Sequence, residues 1–232
     1  CAMGCGFCAT ARLGLLRNLS AGEIVAQVVG AKAHFTPEER LTNIVFMGMG
    51  EPLHNYDAVV EAIGVLTAPW GCGISSRRIT VSTVGLVPQM QRLIRDTSVQ
   101  LAVSLTAPTD EQRGALVPVN RKYPVEVLLA ACRELPIPQR RRITFEYVLL
   151  AGVNDRAEDA RRLVRLLHGI RCKVNLIPFN PFPGSGFERP SDATVEAFRR
   201  QLDEAHVHCT VRHSRGRDVA AAIFVIEMLD VF

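Results

Sequence analysis

The feature that most constrains this chain is an alternation. Short runs rich in β-branched residues are separated by stretches in which apolar residues recur every three to four positions. The runs over 43–48, 77–83, 99–107, 142–150 and 172–180 have the composition of strands. The intervals over 21–35, 57–66, 87–94, 124–135 and 157–167 have helical periodicity. Such a pattern reads as repeated βα units on a parallel sheet, an α/β fold. In a curved or closed parallel sheet the reactive groups gather at the carboxyl ends of the strands, because the loops that follow converge there. Those loops read GMGEP, STVG, SLTAP, AGVND and PFNPFPG, so one rim collects glycines, small hydroxyls, a carboxylate and amides. Past Pro183 come a Gly/Ser turn, a charged helix over 191–204 and an alternating strand in HVHCTVR. No long linker precedes them, and we expect 1–185 to form the main unit and 186–232 an extension packed on the same domain.

A chain of 232 residues, 48% of them hydrophobic, can bury the core of one large domain. No apolar run approaches the ~20 residues of a spanning helix, so the expectation is a soluble, cytoplasmic protein with no membrane partner. The first residue is a cysteine already inside a motif, which reads as a fragment of a chain that starts further upstream. A net charge of +4 admits nucleic acid without requiring it. Basic clusters lie beside strand-like segments at Arg77 and Arg78, Arg121 and Lys122, Arg140 to Arg142, and Arg212, Arg215 and Arg217. Runs of this kind are solvated faces in many proteins, and their position is what favours RNA.

The opening CAMGCGFC places Cys1, Cys5 and Cys8 in a C-x3-C-x2-C run. Structural zinc takes four ligands, usually as two separated pairs, and no second pair is present. A cubane cluster has four irons, so three cysteines leave one iron open to an outside ligand. The alternatives are a zinc site completed by a distant histidine, or a metal staple that adds His206, His208 or Cys209. Strand alternation in HVHC sets His206 and His208 on one face and Cys209 on the other. Cys72, Cys132, Cys172 and Cys209 stand singly and read as small buried hydrophobes.

The triplet, with Phe7 before its last cysteine, resembles the signature of the radical S-adenosylmethionine (radical SAM) enzymes, and GMGEP resembles their glycine-rich turn that binds the SAM amino group. The blocks FMGMGEPLHNYDAV, RRITVSTVGLVP, SLTAPTDEQRGALVPVNRKYP, ITFEYVLLAGVND, KVNLIPFNPFPG and VRHSRGRDVAAA are similar, in order, to the RlmN/Cfr class of that family, radical SAM methyltransferases acting on an adenine of large-subunit ribosomal RNA. The resemblance implies a partial (β/α)6 TIM-like barrel whose first strand is missing here. It implies a 4Fe–4S cluster on Cys1, Cys5 and Cys8, and SAM held by Gly50, Glu51, Ser82, Ser104, Leu105, Thr106 and Asn180. It further implies 23S rRNA as substrate, tRNA as a second substrate, an electron donor such as flavodoxin or ferredoxin, and an RNA-facing basic rim at Arg212, Arg215 and Arg217.

In that class a first SAM methylates a cysteine near the C terminus, and the radical from a second SAM takes a hydrogen from the new methyl group, which then adds to carbon 2 of adenine. Here the slot of that cysteine holds Ile223, and the tail IFVIEMLDVF is apolar. Isoleucine cannot form a thioether, so the sequence predicts a cluster and SAM site without a methyl acceptor. A non-catalytic remnant that binds RNA or a partner is the alternative reading. Thr106 also departs from the class, standing where many members carry histidine.

Overall fold

A computed structural model describes residues 1–212 of the chain. The positions Arg215, Arg217 and Ile223 lie outside the described residues. Six strands form one parallel sheet in the order of the sequence. They are β1 (Ile44–Phe46), β2 (Ile79–Thr83), β3 (Gln100–Ser104), β4 (Ile143–Leu149), β5 (Cys172–Pro178) and β6 (Cys209–Val211). A single-turn α1 (Ala9–Arg12) and α2 (Ala21–Lys32) precede β1, and between the strands run α3 (Tyr56–Thr67), α4 (Val87–Asp96), α5 (Asp110–Leu116), α6 (Val125–Glu134), α7 (Ala157–Leu167) and α8 (Asp192–Glu204).

The strand order decides the architecture. Crossovers between parallel strands are right-handed, so a sheet that never reverses its direction of growth puts every crossover helix on one side. Neighbouring helices accordingly touch in succession, α2 with α3, α3 with α4, α4 with α6, and α7 with α8. A doubly wound sheet would reverse and cover both faces. Here, among the described residues, no crossover helix covers the second face, as in part of a barrel.

The two faces differ in chemistry, following the period of two along a strand. Toward the helices point Ile79 and Val81, Leu101 and Val103, Ile143, Phe145, Tyr147 and Leu149, and Val174 and Leu176, all in one apolar cluster with Met90, Leu93, Leu128, Leu163 and Phe198. The intervening residues are Thr80 and Ser82, Ala102 and Ser104, Thr144 and Glu146, and Lys173 and Asn175. Small and polar side chains thus line the face that no helix covers. A second, smaller cluster of Phe7, Val84, Leu116, Val117, Val148, Leu150 and Phe179 closes the carboxyl-end rim.

The expected strands are all present, each trimmed at one end or both. The run over 99–107 stops at Ser104 because the amides of Leu105 and Thr106 both turn to the Glu146 carbonyl, at 3.0 and 3.3 Å. The helix expected over 21–35 ends at Lys32, and the one over 157–167 has those bounds. A seven-residue helix, α5, was not anticipated; Thr109 caps it by accepting from the Gln112 amide. No helix among the described residues is long and apolar enough to cross a membrane.

Candidate active site at the carboxyl ends of the strands

Cys1, Cys5 and Cys8 open onto one cavity together with Glu51, Ser82 and Ser104. Gly4 takes a left-handed φ of +69°, where a side chain would be strained. The Gly6 amide donates to the Leu116 carbonyl at 2.9 Å, and Phe7 is buried in the smaller cluster. All seven cysteines are free thiols. Burial pushes the Cys5 thiol up to about 12, with the nearby Cys8 and Glu51 adding to the effect and Arg113 opposing it.

Among the described residues no three histidine, cysteine or acidic side chains are gathered closely enough to chelate one ion. A cubane needs a wider spacing, since each sulfur binds a separate iron. The HVHC segment leads into the amino end of β6, while the cysteine loop shares a cavity with the carboxyl ends of β2 and β3, at the other end of the parallel sheet.

The Gly50–Glu51 turn follows β1. Gly50 has φ +110°. The Glu51 carboxylate accepts from the amide of Leu53 at 3.0 Å with one oxygen and from that of Val84 at 2.7 Å with the other, tying the turn after β1 to the turn after β2. Desolvation nonetheless raises its pKa to about 7. Ser82 and Ser104 project from the free face, and both hydroxyls donate to Glu146 Oε2, at 2.7 and 3.4 Å. Leu105 lies on the same rim, but its side chain is in the main apolar cluster. Asn180 is half-buried, two residues past β5. Arg212, past the end of β6, is half-buried at the cavity with Nη1 3.4 Å from the Met47 sulfur.

Thr106 is the strained point of the rim. It has φ +64°, a conformation a β-branched residue rarely takes, and its buried Oγ1 has no hydrogen-bond partner among the described residues. Two buried residues enforce this geometry. The Asn154 amide donates to the carbonyls of Thr106 and Val148 at 2.6 and 2.7 Å and accepts from the Leu150 amide at 2.8 Å. The Arg113 guanidinium, fully buried, donates to the carbonyls of Leu105 (3.0 Å), Val84 (2.7 Å) and Ser104 (3.3 Å), and to Asn120 Oδ1 (2.8 Å). Burial lowers its pKa to about 10. One cation therefore fixes the turns after β2 and β3 together.

Sequence reading missed Glu146, Arg113 and Asn154 as site residues. Glu146 had a signal: a carboxylate in the middle of an otherwise apolar strand. Arg113 had none, because a helical arginine looks the same in sequence whether solvated or buried.

Glu146 is 6% exposed, and desolvation raises its pKa, with Ser82, Arg212 and Ser104 opposing. The folded state thus holds a proton at pH values where the unfolded carboxylate, with a pKa of about 4.3, has ionised. This group's contribution to stability accordingly falls as pH rises above that value. We expect the stability of wild type minus that of Glu146→Gln to decline with pH there, by at most about 1.4 kcal/mol per pH unit. Chemical denaturation at pH 4 to 8 measures it; a parallel pair of curves would contradict the assignment.

The sequence matches the model of the radical SAM superfamily over residues 1–166, the span that carries the cysteine loop and β1 to β4. The chain belongs to the radical SAM superfamily. Among its relatives within that superfamily, it is 58% identical over 222 residues to a protein of Syntrophobacter fumaroxidans named dual-specificity RNA methyltransferase RlmN, covering 96% of this chain and 65% of that protein. It is 53% identical over 224 residues to the protein of the same name from Desulfosudis oleivorans, covering 96% of this chain and 60% of that one. The crystal structure of a radical SAM methyltransferase from Sphaerobacter thermophilus superposes with a TM-score of 0.90 at 52% identity, over 96% of this chain and 66% of that one. The chain thus spans a little under two thirds of the length of these relatives. The residues at the cavity fit the cofactors of the superfamily: three free thiols with no closed mononuclear geometry, and an unpartnered buried hydroxyl at Thr106 aligned with polar groups from successive strands.

Proposed function

We propose that this chain is the radical SAM portion of an RlmN-type RNA methyltransferase directed at carbon 2 of an adenine in 23S rRNA and tRNA. The observation that carries the reading is the convergence of Cys1, Cys5 and Cys8 with Glu51, Ser82, Ser104 and Thr106 on one cavity. Cys1, Cys5 and Cys8 would hold a 4Fe–4S cluster, and Gly50, Glu51, Ser82, Ser104, Leu105, Thr106 and Asn180 would hold SAM. When bound, these groups supply one-electron chemistry on a sulfonium, which side chains alone cannot perform.

The residues themselves bind, orient and exclude water. Thr106 offers a hydroxyl fixed by Asn154 through its own backbone. The smaller apolar cluster, with Phe7, Val148 and Phe179, seals the cavity on the side of the cysteine loop. RNA would be held mainly through phosphates, with the target base splayed from its stack into the mouth, and Arg212, Arg215 and Arg217 are the proposed basic rim. A flavodoxin or ferredoxin is the proposed electron donor and the cytoplasm the proposed location. Within this reading 1–185 forms the part-barrel and 186–232 its extension.

Ile223 at the methyl-acceptor slot favours a second reading, a remnant or paralogue that retains the cluster and SAM site without methyl transfer. Anaerobic reconstitution with iron and sulfide, then reduction with SAM and RNA present, separates the two. Formation of 5′-deoxyadenosine without methyl gain on RNA supports a live site lacking its acceptor. Methylated adenine would show that the acceptor is replaced. Neither product would defeat the enzyme reading.

A further inference from the structure

We infer that the face at the amino ends of the strands is a second RNA-binding surface, which grips phosphates on the side of the domain away from the strand-end cavity. The inference rests on the RNA methyltransferase reading for the identity of its polyanion; the surface itself follows from the fold. In a parallel sheet all strands start at one end, so the segments leading into them share a face. Those leading into β2, β3, β4 and β5 are residues 68–78, 97–99, 135–142 and 168–171. They carry Arg77, Arg78, Arg140, Arg141, Arg142 and Arg171, and no aspartate or glutamate. Five of these six arginines are exposed, Arg141 is half-buried, and none forms an ion pair with a described residue.

The segments are joined to one another. Arg141 Nη1 donates to the Ser98 carbonyl at 2.6 Å, which holds the loop before β4 against the loop before β3. The Ile143 amide donates to the Arg171 carbonyl at 3.1 Å, so Arg142 and Arg171 enter neighbouring strands side by side. A groove of about 250 Å³ between these loops is lined by Arg95, Arg141 and Arg142 with Thr97 and Ser98. A second groove, lined by Ser75, Ser76 and Asp96, shares Thr97 and Ser98 with the first, and Ser76 opens the short 3-10 turn that carries Arg77 and Arg78. Guanidinium groups and hydroxyls are the donors that protein–nucleic acid interfaces turn toward phosphate oxygens.

A helix C-terminus favours a cation in its last turn, which accounts for Arg95 on α4 and Arg133 on α6. The other six arginines belong to no α-helix. Two acids border the patch, Asp96 and Glu134. Asp96 already accepts from the Tyr56 hydroxyl at 2.8 Å and from Arg92 Nε at 3.2 Å, and Glu134 alone leaves the face strongly positive. An acidic protein such as the proposed electron donor would also complement this charge. Its redox centre must come close to the cluster, however, and the cysteine loop shares its cavity with the carboxyl ends of the strands. The seven residues of β4 alone separate the two ends by about 23 Å. A folded RNA larger than the domain can lie against both.

The test uses the full chain, anaerobically reconstituted, with an unmodified tRNA transcript, and reads binding by filter retention across a salt series. One variant combines Arg77→Gln, Arg78→Gln, Arg140→Gln and Arg142→Gln; Arg141 is kept because it holds the Ser98 carbonyl. A control combines Arg92→Gln, Arg161→Gln, Arg162→Gln and Arg165→Gln, removing the same charge from helix faces where these arginines are ion-paired. The first variant should bind at least about tenfold more weakly than wild type, with the slope of log affinity against log salt reduced by about three, and the control should lose little of either. Equal losses in the two variants would reduce the effect to net charge and overturn the inference, as would a first variant that binds like wild type. A second measurement needs no variant to fold: RNA should shield Arg77, Arg78, Arg140 and Arg142 of wild type from phenylglyoxal, read by peptide mass spectrometry, and leave Arg161 and Arg162 open. Shielding by flavodoxin and not by RNA would overturn the inference in favour of an acidic protein. Wild type that binds no RNA at all would defeat the RNA reading itself, a distinct result that takes this surface with it.

Discussion

Cys5→Ala should abolish iron–sulfide absorbance after anaerobic reconstitution and reduce 5′-deoxyadenosine formation to background, while the protein stays folded. The effect is large because the proposed cluster has three protein ligands and no spare: the other cysteines, Cys72, Cys132, Cys172 and Cys209, sit outside the loop, and two of them are buried in the main apolar cluster. The effect on folding is small because Cys5 is only half-buried against the smaller cluster, where removing a thiol costs about 1 kcal/mol. Optical spectroscopy of the iron–sulfide bands and a thermal melt of the unloaded protein check both halves. A variant that keeps a full complement of iron and sulfide, and still cleaves SAM, would sink the assignment of the loop.

Arg113→Met carries the largest expected loss of stability. The substitution keeps an unbranched side chain but removes every donor, leaving the Val84 carbonyl and the Asn120 oxygen without this partner in a buried setting, and the Leu105 carbonyl with the Ala107 amide alone. Each of these two orphaned oxygens costs about 1–3 kcal/mol, so a total of about 2–6 kcal/mol is expected. Arg113→Lys should recover little, since one ammonium cannot replace a planar fork of donors. Urea unfolding measures the change. A loss under about 1 kcal/mol would mean that the guanidinium does not join the two turns. SAM affinity should fall in the same variants, because Ser104 and the turn after β2 are anchored through this one side chain.

The fold was legible wherever burial imposes a period. The helix over 157–167 and the strands over 142–150 and 172–180 follow from apolar residues placed every three to four, or every second, position, because each must hide one face. The alternation gave a parallel sheet but not its strand order, which doubly wound sheets and barrels do not share; the part-barrel came from the family resemblance. The rim was legible as a set of loops and illegible as a mechanism of support. Thr106 reads as a hydroxyl at a strand end, yet its left-handed backbone follows from Asn154, which holds its carbonyl across 48 positions of sequence, and from Arg113, which holds the neighbouring Leu105 carbonyl across eight. The short α5 escaped for a related reason: with Gly114 inside it and Val117 and Pro118 behind it, its local signal is weak, and packing over the rim makes it a helix.

Glu51 bears on how mutants of this protein should be interpreted. β1 is a three-residue edge strand that pairs, among the described residues, only with β2, so the turn it carries has little sheet to lean on. The Glu51 carboxylate is the strut that fastens this turn to its neighbour. A side chain that braces a wall and is also proposed to touch the cofactor gives ambiguous mutants. Weakened cofactor affinity in a Glu51 variant would report a sagging frame as readily as a lost contact, and only a structure of the variant would tell them apart.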